Sequence, residues 1–103
     1  MEKLSPGAAL CIYRIAQEAL GNVAKHAKAK QVEVRLTRSD SRVILVVPDD
    51  GVGFDPSRSE KFRGLGLINM RERVTQLNGT FEFESQTGHG TTVKAEVPFR
   101  PAP

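Results

Sequence analysis

Apolar and polar residues recur in two rhythms along this chain. Between Ser5 and Lys28, Ile12, Ile15, Ala16, Ala19, Leu20 and Val23 return every three or four residues, the single stripe of an amphipathic helix. Ser5-Pro6 predicts its start, with serine as cap and proline at the first helical position. The end is expected near His26–Lys28, where basic side chains complement the carbonyl end of the dipole. The period then falls to two. Val32, Val34 and Leu36 alternate with Glu33, Arg35 and Thr37, which predicts a half-buried strand. Asp40-Ser41 predicts a turn into Arg42–Val47, apolar on both sides as a central strand is.

Asp55–Arg63 is polar, contains Pro56 and is expected to be a loop. Leu65, Ile68, Met70, Val74 and Leu77 predict a second helix, closed by Asn78-Gly79 as a glycine stop. Phe81 and Phe83 alternate with Glu82 and Glu84, and Gly88-His89-Gly90 turns the chain into a last strand with Thr91, Val93, Ala95 and Val97 on one face. The order is helix, two strands, loop, helix, two strands. Its simplest solution is an α+β, two-layer sandwich, with helices on one face of a mainly antiparallel sheet and the other face wet.

Composition narrows the class. The 103 residues support one domain and one modest core, with a short Pro-Ala-Pro tail. A net charge of +3, dispersed among acids, permits a phosphate-bearing ligand without demanding one. No compact basic stripe with interleaved aromatics is present, so nucleic acid is not an expected partner. No apolar run is long enough for a membrane span, and no secretory leader is visible at Met1-Glu2-Lys3. The one cysteine, Cys11, excludes an internal disulfide, fits a reducing compartment and reads as a small buried hydrophobe on the first helix.

Two places carry candidate chemistry. The first is Asp49-Asp50-Gly51-Val52-Gly53-Phe54, directly behind the apolar strand. A carboxylate at the mouth of a buried strand is an acceptor in need of a donor, such as the exocyclic amine of a purine. The glycines let the backbone turn sharply and be approached closely. Asp49 continues the face of Val43, Leu45 and Val47, whereas Asp50 reads as an ordinary exposed acid. The second place is the first helix, where Glu18, Asn22 and Lys25 fall at i, i+4 and i+7 and share a face. That face can be merely solvated. Alternatively the Asn22 amide oxygen holds a hard cation, which suffices for Mg²⁺ only if a polyphosphate supplies further oxygens. No P-loop, nucleophile elbow or Cys/His cluster is present.

Together these segments resemble a known family. Gln17-Glu18-Ala19-Leu20-Gly21-Asn22-Val23-Ala24-Lys25-His26-Ala27 resembles the N box of bacterial sensor histidine kinases. Asp49 to Asp55 is similar to their first glycine box, and Gly64-Leu65-Gly66-Leu67, running into Ile68-Asn69-Met70-Arg71-Glu72-Arg73, to the second. Gly88-His89-Gly90-Thr91-Thr92-Val93 is similar to the final glycine–threonine element. The likeness runs from about Leu4 to Phe99. Tyr13-Arg14-Ile15 and the helix after the second glycine box resemble the subfamily that pairs with LuxR/NarL-type response regulators.

The resemblance implies the Bergerat ATP-binding fold, with ATP and Mg²⁺ as ligands. Asp49 would accept from the adenine amine, Gly51 and Gly53 would let the backbone pass the base, and Thr91 would help close the pocket. Asn22 would hold Mg²⁺ and Lys25 would reach a phosphate. Gly64 and Gly66, with Leu65 and Leu67 of the same box, would bring backbone amides of the second helix's start to the phosphates. Glu18 would ready the acceptor imidazole. Residues 55–63 would be a lid, with Arg58, Lys61 and Arg63 as candidate phosphate contacts.

In a full-length protein of this kind the γ-phosphoryl would pass to a histidine on a separate dimerisation domain and indirectly to a response regulator, in the cytoplasm. Neither His26 nor His89 reads as that acceptor. Other readings are a related ATPase or serine kinase, or a noncatalytic nucleotide-sensing module. Two departures stand out. The family places a strand before the first helix where few residues precede Ser5, so an exposed sheet edge, prone to pairing, is expected. Pro48 before Asp49 removes a backbone donor at the strand's end.

Overall fold

The computed structural model describes residues 4–53 and 66–99. Helix α1 (Pro6–Asn22) opens as the sequence predicts. Ser5 Oγ accepts from the Ala8 amide at 3.3 Å, and Pro6 stands in the first turn, where its missing N–H costs nothing. The helix continues as a π-helical turn, Val23–Ala27, and ends on Lys28 in the left-handed region at φ 51. Helix α2 (Leu67–Gln76) starts at Gly66 and is closed at Asn78. The left-handed residue of this stop is Asn78 (φ 62) rather than Gly79, with the Gly79 amide donating back to the Val74 carbonyl at 3.0 Å.

Four strands, β1 (Arg35–Ser39), β2 (Arg42–Asp49), β3 (Thr80–Ser85) and β4 (Thr91–Pro98), form one sheet in the order β1-β2-β4-β3. Every neighbouring pair is antiparallel. The two hairpins are thus joined through their long strands, which places β2 and β4 in the middle. Alternation sorts the middle strands: Val43, Leu45 and Val47 of β2 face the helices beside Val93, Ala95 and Val97 of β4, and all six are buried. Helix α1 packs on β2 and β4, and α2 on β3 and β4. Ile15, Met70 and Val74 close the core from above. Cys11 belongs to this core, where burial pushes its thiol pKa up against a weaker pull downwards from Arg73. The far face is wet, with Glu82 and Lys94 exposed and Arg42 paired to Glu96 at 2.7 Å.

The first strand departs from expectation in both extent and burial. The regular ladder begins at Arg35, not Val32. Val32 still bridges Asp49, and the Glu33 amide donates to the Pro48 carbonyl at 3.0 Å, so the register continues backwards. Pro48 has no N–H to return to Glu33, and the ladder breaks there. Nor is the strand half-buried. The helical layer stops short of this edge, leaving Leu36 at 56% exposure although it faces the same side as its cross-strand partner Leu45, at 1%. Phe99 closes the opposite end of the sheet: its amide donates to the Ser41 carbonyl at 2.6 Å, its own carbonyl accepts from Ser5, and the Arg38 guanidinium lies 3.8 Å from its ring centre.

Candidate functional site

The end of β2 and the start of β4 lie side by side, so Asp49 stands directly opposite Thr91 on the face that carries the core. Neither is fully buried, and the pair forms the polar rim of an apolar floor. Asp49 Oδ1 accepts from the Gly51 amide at 2.8 Å, an Asx-type turn that fixes the carboxylate as the chain leaves the strand. The hydroxyls of Thr91 and Ser85 are 2.7 Å apart, and Ser85 also reaches the Gly90 carbonyl at 3.3 Å. With Ser85 donating to Gly90, Thr91 donates to Ser85 and keeps its lone pairs for the site.

Gly53 and Gly90 make this corner possible. Gly53 has φ 64, and a Cβ on it would lie 2.2 Å from the Gln86 carbonyl oxygen. Gly90 has φ 80, and a Cβ there would lie 2.2 Å from the Asp49 carbonyl oxygen. The segment after Asp49 is therefore pressed onto the 86–90 turn, and the Gly88 amide donates to the Val52 carbonyl at 2.6 Å. Close approach was the expected use of Gly53, and the nearest approaching group belongs to this chain. Ser85 and Gly90 belong to this corner too, and the spacing of Gly88 and Gly90 just before Thr91 is the sequence signal that points to it.

A second cluster forms where α1 meets the start of α2. The Glu18 carboxylate abuts Gly66, close enough that a Cβ on Gly66 would lie 2.3 Å from Glu18 Oε1. Gly66 offers no side-chain cap and adopts φ 70, so the first amides of α2 lack intrahelical partners and favour negative charge. Between the helices a cavity of about 150 Å³ is lined by Arg14, Gln17, Glu18, Asn69 and Arg73. Leu67 is a core residue, buried to 1% exposure, so only its backbone is available to a ligand. Gly64 and Leu65, with Phe54 and the 55–63 segment including Arg58, Lys61 and Arg63, lie outside the described residues.

Asn22 is the last residue of α1 and is half-buried, whereas Lys25 is exposed in the π-helical turn. The sequence spacing puts Lys25 at i+7 from Glu18, and the switch to a π-helical turn begins between Asn22 and Lys25. Among the described residues no group of His, Cys, Asp and Glu could hold a metal alone. Asn22 carries a hard amide oxygen, a ligand type that fits Mg²⁺ only with phosphate and water oxygens completing its shell.

Asp50, read from sequence as an ordinary exposed acid, has a specific task. Its Oδ1 accepts from the backbone amides of both Lys30 and Gln31, each at 2.9 Å, while its own amide donates to the Gln31 carbonyl at 3.2 Å. The Gln31 amide above all, with that of Lys30, holds the Asp50 pKa below the ordinary aspartate range against a smaller desolvation effect.

Residues 7–101 match the family described as histidine kinase-, DNA gyrase B- and HSP90-like ATPases. The chain belongs to this family. This ATPase-family domain is 35% identical over 99 residues to the signal transduction histidine-protein kinase/phosphatase DegS of Bacillus subtilis, a match covering 94% of the chain and 26% of DegS. It is 45% identical over 87 residues to the oxygen sensor histidine kinase NreB of Staphylococcus carnosus, covering 84% of the chain and 25% of NreB. In three dimensions it is similar to full-length ShkA, solved in complex with AMPPNP, with a TM-score of 0.72, 26% identity, and coverage of 89% of the chain and 22% of ShkA. The chain spans about a quarter of the length of the curated relatives it matches. Within the family's two-layer frame, the ends of β2 and β4 and the α1–α2 junction are the two polar clusters described above.

Proposed function

We propose that this domain binds ATP with Mg²⁺ and, within a longer protein, donates the γ-phosphoryl to a histidine on a separate dimerisation domain. The observation that carries this reading is the Asp49–Thr91 pair at the polar rim of the core, braced by Gly53 and Gly90. In it, the free oxygen of Asp49 accepts from the adenine amine and Thr91 completes that wall. Lys25 and the amides at the start of α2 neutralise phosphate charge. Asn22 would help hold Mg²⁺, which would supply neutralisation of phosphate charge. Glu18, whose carboxylate abuts Gly66, takes a proton from the acceptor imidazole in this reading. The domain's part in transfer is positioning and charge neutralisation, which needs no nucleophile of its own.

Titration of MgATP against the parent chain and Asp49→Asn tests the pocket. Loss of the carboxylate is expected to weaken binding about 10- to 100-fold, the equivalent of one hydrogen bond to a charged group. Unchanged affinity overturns the assignment. Incubation with labelled ATP and a separate histidine-bearing helical domain is expected to label that domain, and label on this chain alone would contradict the division of labour. The likeness of the α2 region to the LuxR/NarL-pairing subfamily makes regulators of that type the downstream partners to try, with the whole protein acting from the cytoplasm.

A further inference from the structure

Among the described residues, none between Ala19 and Val43 has a buried side chain. The stretch that leaves α1, runs through the π-helical turn bearing Lys25 and returns to β1 is tied to the end of β2 through its backbone. One carboxylate ties it twice: Asp50 Oδ1 receives the Lys30 and Gln31 amides together. The Asp50 amide to the Gln31 carbonyl and the Glu33 amide to the Pro48 carbonyl extend the same seam. Asp50 is joined directly to Asp49, so the seam couples the strand end facing the base to the helix end facing the phosphates.

We infer that Asp50 is a positioning residue, fixing the π-helical turn and Lys25 relative to the Asp49 pocket. This rests on the nucleotide reading above. Asp49 and Thr91 sit opposite each other in the sheet, and Gly51 is held by Asp49 Oδ1, so these base-facing groups stay in place without the tie. Helix α1 itself is anchored through Ile15 and Ala19, so the effect falls on the residues after Asn22. Asparagine at position 50 keeps an acceptor oxygen of the same reach and holds the two amides, whereas alanine releases them.

Adenosine and MgATP are titrated separately against the parent chain, Asp50→Asn and Asp50→Ala, and exchange of the Lys30 and Gln31 amide protons is followed in each. Asp50→Ala is expected to bind adenosine within about twofold of the parent but MgATP about tenfold more weakly, with both amides exchanging faster. Asp50→Asn is expected to restore both readouts to within about threefold of the parent. An alanine variant that binds MgATP as the parent does, or loses adenosine and MgATP equally, overturns the inference. So does slow exchange of the two amides in Asp50→Ala. Should that variant fail to fold, Asp50→Ser, whose shorter side chain cannot span to both amides, takes its place with the same outcomes. A parent that binds neither ligand defeats the nucleotide reading itself, a result distinct from any difference between variants.

Discussion

Asp49 and Asp50 carry the same group into different surroundings, and their neighbours decide what each does. The folded-state pKa of Asp50 lies below its unfolded value. The stability it contributes is accordingly complete above the unfolded pKa, about 3.9, and is lost as pH falls through the lower folded value. Thermal unfolding of the parent and Asp50→Asn from about pH 7 to pH 2 is expected to show their difference shrinking on the acid side. This role could not be read from sequence, because the partners are backbone amides some twenty positions upstream and no residue type announces them. The D-x-G-x-G run itself was legible, since its residue types carry the constraint. Gly90 and Gly88 separate two sources of that constraint. Both have positive φ, yet a Cβ on Gly88 meets open space and one on Gly90 meets the Asp49 carbonyl. Urea unfolding of Gly88→Ala is expected to show a loss of about 1 kcal/mol from backbone strain. Gly90→Ala should lose about 2 kcal/mol or more beyond that, because the β2 end must shift.

Elements with strong periodicity and recognisable ends were legible in the sequence. Ser5-Pro6 marked the start of α1, and Ser5→Ala is expected to lower stability by about 1 kcal/mol in a denaturant titration, the worth of an N-cap. The strand around Thr91–Val97 was equally plain, because alternation and burial agree there, and the continuous apolar run Val43–Val47 marked a central strand. Elsewhere local pattern and tertiary context parted. The spacing places Ile68 in the apolar stripe of α2, yet Leu67, Met70 and Val74 face the core and Ile68 is exposed. The π-helical turn that carries Lys25 follows no periodicity that a regular wheel can display. Pro48 explains the shortened ladder of β1 only once its partner is known to be Glu33, a pairing that register supplies and composition does not.

At the scale of the molecule, the helical layer covers β2, β4 and β3 and leaves the β1 edge bare. Leu36 and Leu45 face each other across β1 and β2, on the same side of the sheet, and differ in what lies above them. Leu45→Ala is expected to cost about 2–5 kcal/mol, whereas Leu36→Lys should change stability by less than about 0.5 kcal/mol, both read by urea unfolding. The charge added by Leu36→Lys also guards the open edge against pairing. Cys11 adds a timepiece to this arrangement. A disulfide reagent is attacked by thiolate, and this thiol is both sealed in the core and disfavoured from ionising. Modification in native buffer must therefore wait for the helical layer to lift from the sheet, so the labelling half-time reports how often the domain opens. Leu45→Ala should shorten that half-time severalfold and Leu36→Lys should leave it alone, which turns one inert sulfur into a clock for the whole fold.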